Sequence, residues 1–207
     1  SPLADKIILI TRCTFPDNEK FANKDNRNSS LLISDAYGTN IHVAISRKQW
    51  SKGGHHPTWH PDGLHITMNV KPTWLGEDTL RFCQFKADGS DFTILTDKFM
   101  GSGHPTITPD SRYILTDTYP FEELALENGE VPIRLIDLKE QKEYTVCTIF
   151  TDLGQVFKVR RFWGPSKMDV HPVWNHGYNK ICFNGAPEKK RAVFIAGLET
   201  FFTRKTS

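Results

Sequence analysis

Three histidines in this chain each stand directly before a proline: His56-Pro57, His104-Pro105 and His171-Pro172. Imidazole titrates near neutrality and is a common ligand of divalent metals, so the recurrence invites a chemical reading as base or metal ligand. Asp169 lies two residues before His171. On an extended segment residues i and i+2 point to the same side, so this spacing puts a carboxylate and an imidazole on one face. Oxygen and imidazole together make a plausible mixed set for a hard divalent ion. A structural reading stands beside this one. The His-Pro pair could simply start a strand, with the imidazole bonded to a neighbouring element and Asp169 capping a loop. Other chemistries find no residues: the sequence has no Ser-His-Asp order, no phosphate-cradling glycine loop and no C-x-x-C pair.

The elements that would hold these histidines repeat with them. His56-Pro-Thr-Trp-His-Pro-Asp-Gly63 aligns with His104-Pro-Thr-Ile-Thr-Pro-Asp-Ser111 and His171-Pro-Val-Trp-Asn-His-Gly177. Each is followed by a short apolar run (LHITMNV, SRYILTDTY, NKICFNG) and then a second one (LRFCQF, VPIRLIDL, RAVFIAGL). Two repeats continue through a polar turn into a third run, FTILT or EYTVCTIF. Asp88-Gly89 has the chemistry of a tight hairpin whose two central residues both take positive φ. The first 50 residues match the later strands of the same unit without its opening motif. No stretch has a helical period, and LALENGE is at most one turn.

The first two motifs are 48 residues apart and the next pair 67, with the surplus falling in the loops 121–131 and 151–169. The shorter interval fits the ~40–50 residues of a propeller blade. The expected fold is therefore all-β, a β-propeller of about four blades at 5–50, 54–100, 102–150 and 169–200. Since the first unit lacks its motif strand and an open arc leaves sheet edges unpaired, the expectation is a part of a seven- or eight-bladed ring. The missing blades of the same protein are then its partners. Three equivalent histidines on adjacent blades would point toward one channel mouth.

Bulk properties exclude several partners. The 26 Lys+Arg against 24 Asp+Glu leave a net charge of +2, which makes no electrostatic case for nucleic acid or an acidic membrane. No apolar run reaches the ~18 residues of a membrane span, and no charged-then-apolar leader opens the chain. Cys13, Cys83, Cys147 and Cys182 lie far apart inside apolar runs, as buried thiols rather than a zinc site or disulfide framework. They favour a reducing compartment, and the address stays open between a bacterial cytoplasm and periplasm. Asp62 and Asp110 should cap backbone amides in their Pro-Asp turns. Trp59 and Trp174 share one motif position and are expected in the core. Trp50, Trp74 and Trp163 are placed in loops, one of them at a sugar site. His55 is a loop neighbour, His60 and His176 face solvent, and His65 is structural.

The HP-x-W-x-PDG motif resembles the TolB-type repeat. The order of features resembles more narrowly the C-terminal half of the oligogalacturonate lyase family: SLLISDAYGTN, a His before W-x-PDG, a lone His motif with a long insertion, QVF before the last HP, and RAVFIAGL. The resemblance covers most of the chain. It implies a seven-bladed propeller that cleaves short pectic uronides by β-elimination with a manganese ion in its channel. It puts the catalytic base at His56 and two metal-ligand histidines at His104 and His171. A third histidine ligand of the family corresponds to Asp169, and its glutamine ligand has no counterpart, with Ser166 standing roughly there. The catalytic arginine should fall where this chain has Ser29 and Ser30, with Arg27 close by.

These residue types suit the chemistry. Elimination across a uronate needs the carboxylate neutralised, which a divalent metal does. It needs a base near neutral pKa, as histidine is, and a donor for the developing charge, as arginine is. The expected function is a uronate-oligosaccharide lyase using a divalent metal, Mn²⁺ by resemblance. The rival expectation is a non-catalytic TolB-like propeller that binds a protein or glycan. Metal content separates the two.

Overall fold

The computed structural model describes residues 1–12, 29–120, 122–126, 130–151, 168–186 and 190–203. Arg27, Ser166, Trp163 and Cys13 lie outside them. The chain divides into two compact units, 1–109 and 110–207. Among the described residues, no helix is long and apolar enough to cross a membrane.

The first unit holds two antiparallel sheets. One consists of β1 (Lys6–Arg12), β2 (Ser29–Asp35) and β3 (His42–Ile45), with β2 central. The other runs in the order β4 (Gly54–Trp59), β5 (His65–Val70), β6 (Arg81–Lys86) and β7 (Thr93–Ile94). A short strand, β8 (Thr106–Ile107), comes next in the chain. The period-2 pattern explains which faces meet. Leu31 and Ile33 of β2, Ile66 and Met68 of β5, and Phe85 of β6 are all fully buried in one cluster. Trp59 packs against that cluster, as its motif position suggests.

A single helical turn, α1 (Arg47–Trp50), joins the two sheets. The signal for it is the sequence Ser46-x-x-Gln49, a capping box: the Ser46 side chain accepts from the Gln49 amide, and Gln49 Oε1 accepts from the Ser46 amide at 2.9 Å. Trp50, expected in a loop, ends this turn with 4% of its surface exposed. Its indole N–H donates to the Gly54 carbonyl at 2.8 Å, so the first residue of β4 is tied to the core. Gly54 has no room for a side chain, because a Cβ there would lie 2.9 Å from the Asn69 carbonyl oxygen. Trp50→Ala should therefore lower unfolding stability by about 3–5 kcal/mol, read from urea denaturation.

The Asp88-Gly89 turn differs from the tight two-residue form. Gly89 N–H donates to Lys86 C=O at 2.8 Å and Ser90 C=O accepts from Lys86 N–H at 2.9 Å. Of the pair, Gly89 alone takes positive φ, 84°. This is a turn followed by one left-handed residue, the longer hairpin class. Position 89 must be glycine for a second reason, since a Cβ there would collide with the Ala44 carbonyl.

In the second unit β10 (Glu130–Asp137) is flanked by β9 (Tyr113–Thr116) and β11 (Lys142–Phe150). The other sheet has the order β12 (Val173–Trp174), β13 (Lys180–Gly185), β14 (Ala192–Gly197). A last turn, α2 (Glu199–Thr203), follows β14. Leu115, Ile133, Leu135, Ile181 and Phe183 form the core of this unit, with Trp174 packed against it. Arg134 is buried in the middle of β10, which is tolerable because Glu143 takes its guanidinium with two bonds of 2.8 Å. Asp62 caps the Leu64 and His65 amides at 2.8 and 3.0 Å, and Asp110 caps Arg112 at 3.1 Å, as Pro-Asp turns require.

Candidate functional site

In the first unit the His-Pro segment breaks the ladder. His55 pairs with Asn69 and Thr58 with Thr67, so three steps on β4 oppose two on β5. The surplus is a β-bulge at His56-Pro57, where proline has no N–H to give the ladder. His56 adopts φ 54°, a left-handed conformation that is uncommon outside glycine and clusters at functional sites. The bulge re-aims the imidazole. Its ring centroid lies 3.9 Å from that of His104, 48 residues further on, and 4.8 Å from that of His55. His104 is buried, at 7% exposure. His55 sits within β4 rather than in a loop.

The motif around His104 reaches the same place differently. The left-handed residue here is Gly103, φ 60°, one position earlier. Gly101 must also be glycine: a Cβ would lie 2.8 Å from Asn69 Oδ1 and 2.9 Å from the Arg81 carbonyl carbon. In the second unit His171 repeats the His56 conformation at φ 47°, again before a proline. Its Nε2 lies 3.9 Å from Asp169 Oδ2, which places one imidazole and one carboxylate within reach of a shared cation. The two side chains approach each other on an irregular segment rather than the extended one expected, since His171 takes positive φ. His171 is exposed and Asp169 is half-buried.

A second repeat, which the His-Pro alignment does not by itself reveal, holds these segments in place. Thirteen residues after each His-Pro histidine stands Asn69, Asp117 or Asn184. Asn69 Nδ2 donates to the Gly103 carbonyl at 2.9 Å and lies 3.3 Å from His55 Nδ1. Asp117 Oδ2 accepts from the His171 amide at 3.1 Å. Asn184 Nδ2 donates to the Asp169 carbonyl at 3.1 Å. Each polar side chain therefore satisfies a backbone group of a His-Pro segment that the irregular geometry takes out of the ladder. The equal spacing of 13 was readable as part of the repeat, although an Asn or Asp inside an apolar run gives no sign of its partner.

The remaining histidines divide. His176 is exposed, as expected. His60 is not solvent-facing: it is buried at 2% exposure, and its Nδ1 accepts from the Asp62 amide at 3.1 Å. His65 Nδ1 lies 2.6 Å from Asp62 Oδ2, a structural contact. Burial opposes charge on Asp62, but the His65 amide and imidazole and the Leu64 amide outweigh it and bring its pKa down to about 2. Burial lowers the His60 pKa below its ordinary 6.5, only partly offset by Asp62. A lowered histidine pKa means that the unfolded chain takes the proton first. Its contribution is intact above pH 6.5 and is lost as pH falls through the lower folded value. Urea midpoints should accordingly drop between pH 7 and 5, and His60→Gln should flatten that slope. An equal slope in the variant would assign it to other groups.

Comparison with known proteins places this fold. No family model and no curated relative matches the sequence. Solved structures do. TolB from Acinetobacter baumannii is 16% identical over 96% of this chain and 40% of its own, with a TM-score of 0.61. An oligogalacturonate lyase in complex with manganese is 15% identical over 96% and 47%, with a TM-score of 0.59. An oligogalacturonate lyase from Vibrio parahaemolyticus is 13% identical over 95% and 64%, with a TM-score of 0.52. The chain thus spans about 40% to 64% of the length of these proteins. Its four antiparallel sheets are blades of a TolB-like β-propeller that resembles oligogalacturonate lyase.

Proposed function

We propose, from this TolB-like propeller fold, that the chain belongs to a uronate-oligosaccharide lyase acting by metal-assisted β-elimination. The observation that carries the reading is the His56–His104 pair, with ring centroids 3.9 Å apart and His56 re-aimed by a bulge. A metal-bound imidazole has already donated its lone pair and is a poor base. Ligand and base must be different histidines, held next to each other, and this pair offers that division.

His104, Asp169 and His171 would hold the divalent cation. The donor set fits: two imidazoles and a carboxylate suit Mn²⁺ and its neighbours, and the Asp169–His171 approach of 3.9 Å suits shared ligation. When bound, the cation supplies Lewis-acid neutralisation of the substrate carboxylate, which makes the adjacent C–H acidic. His56 takes that proton. The glycosidic C–O bond on the next carbon then breaks, the bonding pair leaving on the glycosidic oxygen, which takes a proton from solvent, and the uronate ring gains a double bond. Arg27, by resemblance, would stabilise the charge that develops before the bond breaks. Asn69, Asp117 and Asn184 act on the backbone, keeping the histidine segments in geometry.

The test is direct. The full-length protein with manganese and an oligogalacturonate should release a product carrying the ultraviolet absorbance of an unsaturated uronide, and chelator should stop it. Elimination that persists in chelator would remove the metal from the reading. The likeness to TolB, no weaker than that to the lyases, supports a second reading as a non-catalytic propeller. Such a protein would hold no stoichiometric divalent ion.

A further inference from the structure

One buried amide joins the two histidine segments of the first unit. Asn69 on β5 has none of its surface exposed, and the register sets it opposite His55, the residue before His56. Its Nδ2 donates to the Gly103 carbonyl at 2.9 Å and lies 3.3 Å from His55 Nδ1. Gly103 is in turn the residue before His104, and it is buried as well. These partners fix the orientation of the amide. Its oxygen turned toward Gly103 would set acceptor against acceptor, so the NH2 group faces that carbonyl. The oxygen side lies against Gly101, where a Cβ would come within 2.8 Å. An NH2 group only donates, so one hydrogen goes to each histidine segment and His55 Nδ1 accepts. His55 is thereby held in the tautomer with its hydrogen on Nε2.

We propose that Asn69 is a positioning residue for the elimination, tying the segment that carries the base to the segment that carries a metal ligand. The proposal rests on the lyase reading above. His56 follows His55 directly, and its ring centroid stands 3.9 Å from that of His104. Both histidines stand on irregular backbone, His56 at φ 54° and His104 beside Gly103 at φ 60°. Ladder hydrogen bonds therefore do not set the spacing of base and ligand. That spacing matters, because a misplacement of about 1 Å can cost about 10²-fold in rate. A single rigid donor group with one hydrogen on each segment removes the freedom.

Asn69→Leu in the full-length protein keeps the size of the side chain and removes both hydrogens. It should weaken manganese binding about tenfold by calorimetry and lower kcat about 10–100-fold at saturating manganese, the scale for a group that orients a ligand. KM should stay nearly constant. Asn69→Asp has at most one hydrogen to give and should lower kcat by a smaller factor; it decides the matter if the leucine variant does not fold. Thr67→Val, on the same face of β5 and outside both segments, should leave kcat and manganese affinity unchanged. Imidazole nitrogen resonances of the metal-free wild type should show His55 as the Nε2–H tautomer. The Nδ1–H tautomer would overturn the proposal. So would a folded variant that loses unfolding stability alone, with wild-type kcat and manganese affinity. A wild type that binds manganese but yields no unsaturated product sinks the lyase reading, while the tautomer and the manganese affinity still report on Asn69.

Discussion

Replacing His56 by alanine in the full-length protein should reduce elimination by about 10²–10⁴-fold, the range supplied by a positioned general base, and leave the manganese content unaltered. The split between the two readouts is the point. His56 lies on a bulge with φ 54°, and its ring touches that of His104. If its role is to abstract the proton, its loss stops chemistry while the ligands stay in place. Loss of metal in the variant would make His56 a ligand. Full turnover would make it a structural residue of β4. Its strained backbone leads to a second expectation: alanine is less at ease than histidine at positive φ, so stability should fall modestly as well. A stability loss without an activity loss would therefore also count against the base assignment.

His104→Ala should lower manganese affinity about a hundredfold or more, so that the purified protein carries substoichiometric metal by elemental analysis. Losing even an outer-shell partner typically costs 10–100-fold in metal affinity, and His104 is proposed as a direct ligand. Elimination should disappear with the ion and return in part at high manganese. Two controls locate the effect. Asp169→Asn keeps an oxygen donor but removes its charge, and should weaken binding less than His104→Ala. His176→Ala, on an exposed turn, should change nothing. Unchanged metal content in His104→Ala would rule out this site.

Much of the scaffold was legible because its signals are local. Alternation of apolar residues along LHITMNV or RFCQF depends only on neighbours, so β5 and β6 could be read directly. The Pro-Asp turns cap amides two and three residues away and were equally readable. The Ser46–Gln49 capping box is local too, but a single helical turn leaves no periodic apolar pattern to mark it. His60 shows the limit. It stands in a turn sequence that looks polar, yet packing buries it, and a turn motif does not say which way its side chains face.

The sequence by itself determined the repeated unit: a His-Pro opening, a polar turn (W-x-PDG in the first copy), apolar runs, and Asn or Asp 13 residues after each histidine. From those follow the antiparallel sheets and the residue types available for chemistry. It also put Asp169 and His171 two residues apart, close enough for their side chains to meet at 3.9 Å. Only the tertiary structure decided that His56 leaves the ladder at a bulge and meets His104, and that Asn69 grips Gly103 34 residues away. The physical reason is the same in each case. Hydrophobic periodicity encodes which face of a strand is buried, whereas the direction of a side chain on an irregular segment depends on contacts made far away in sequence.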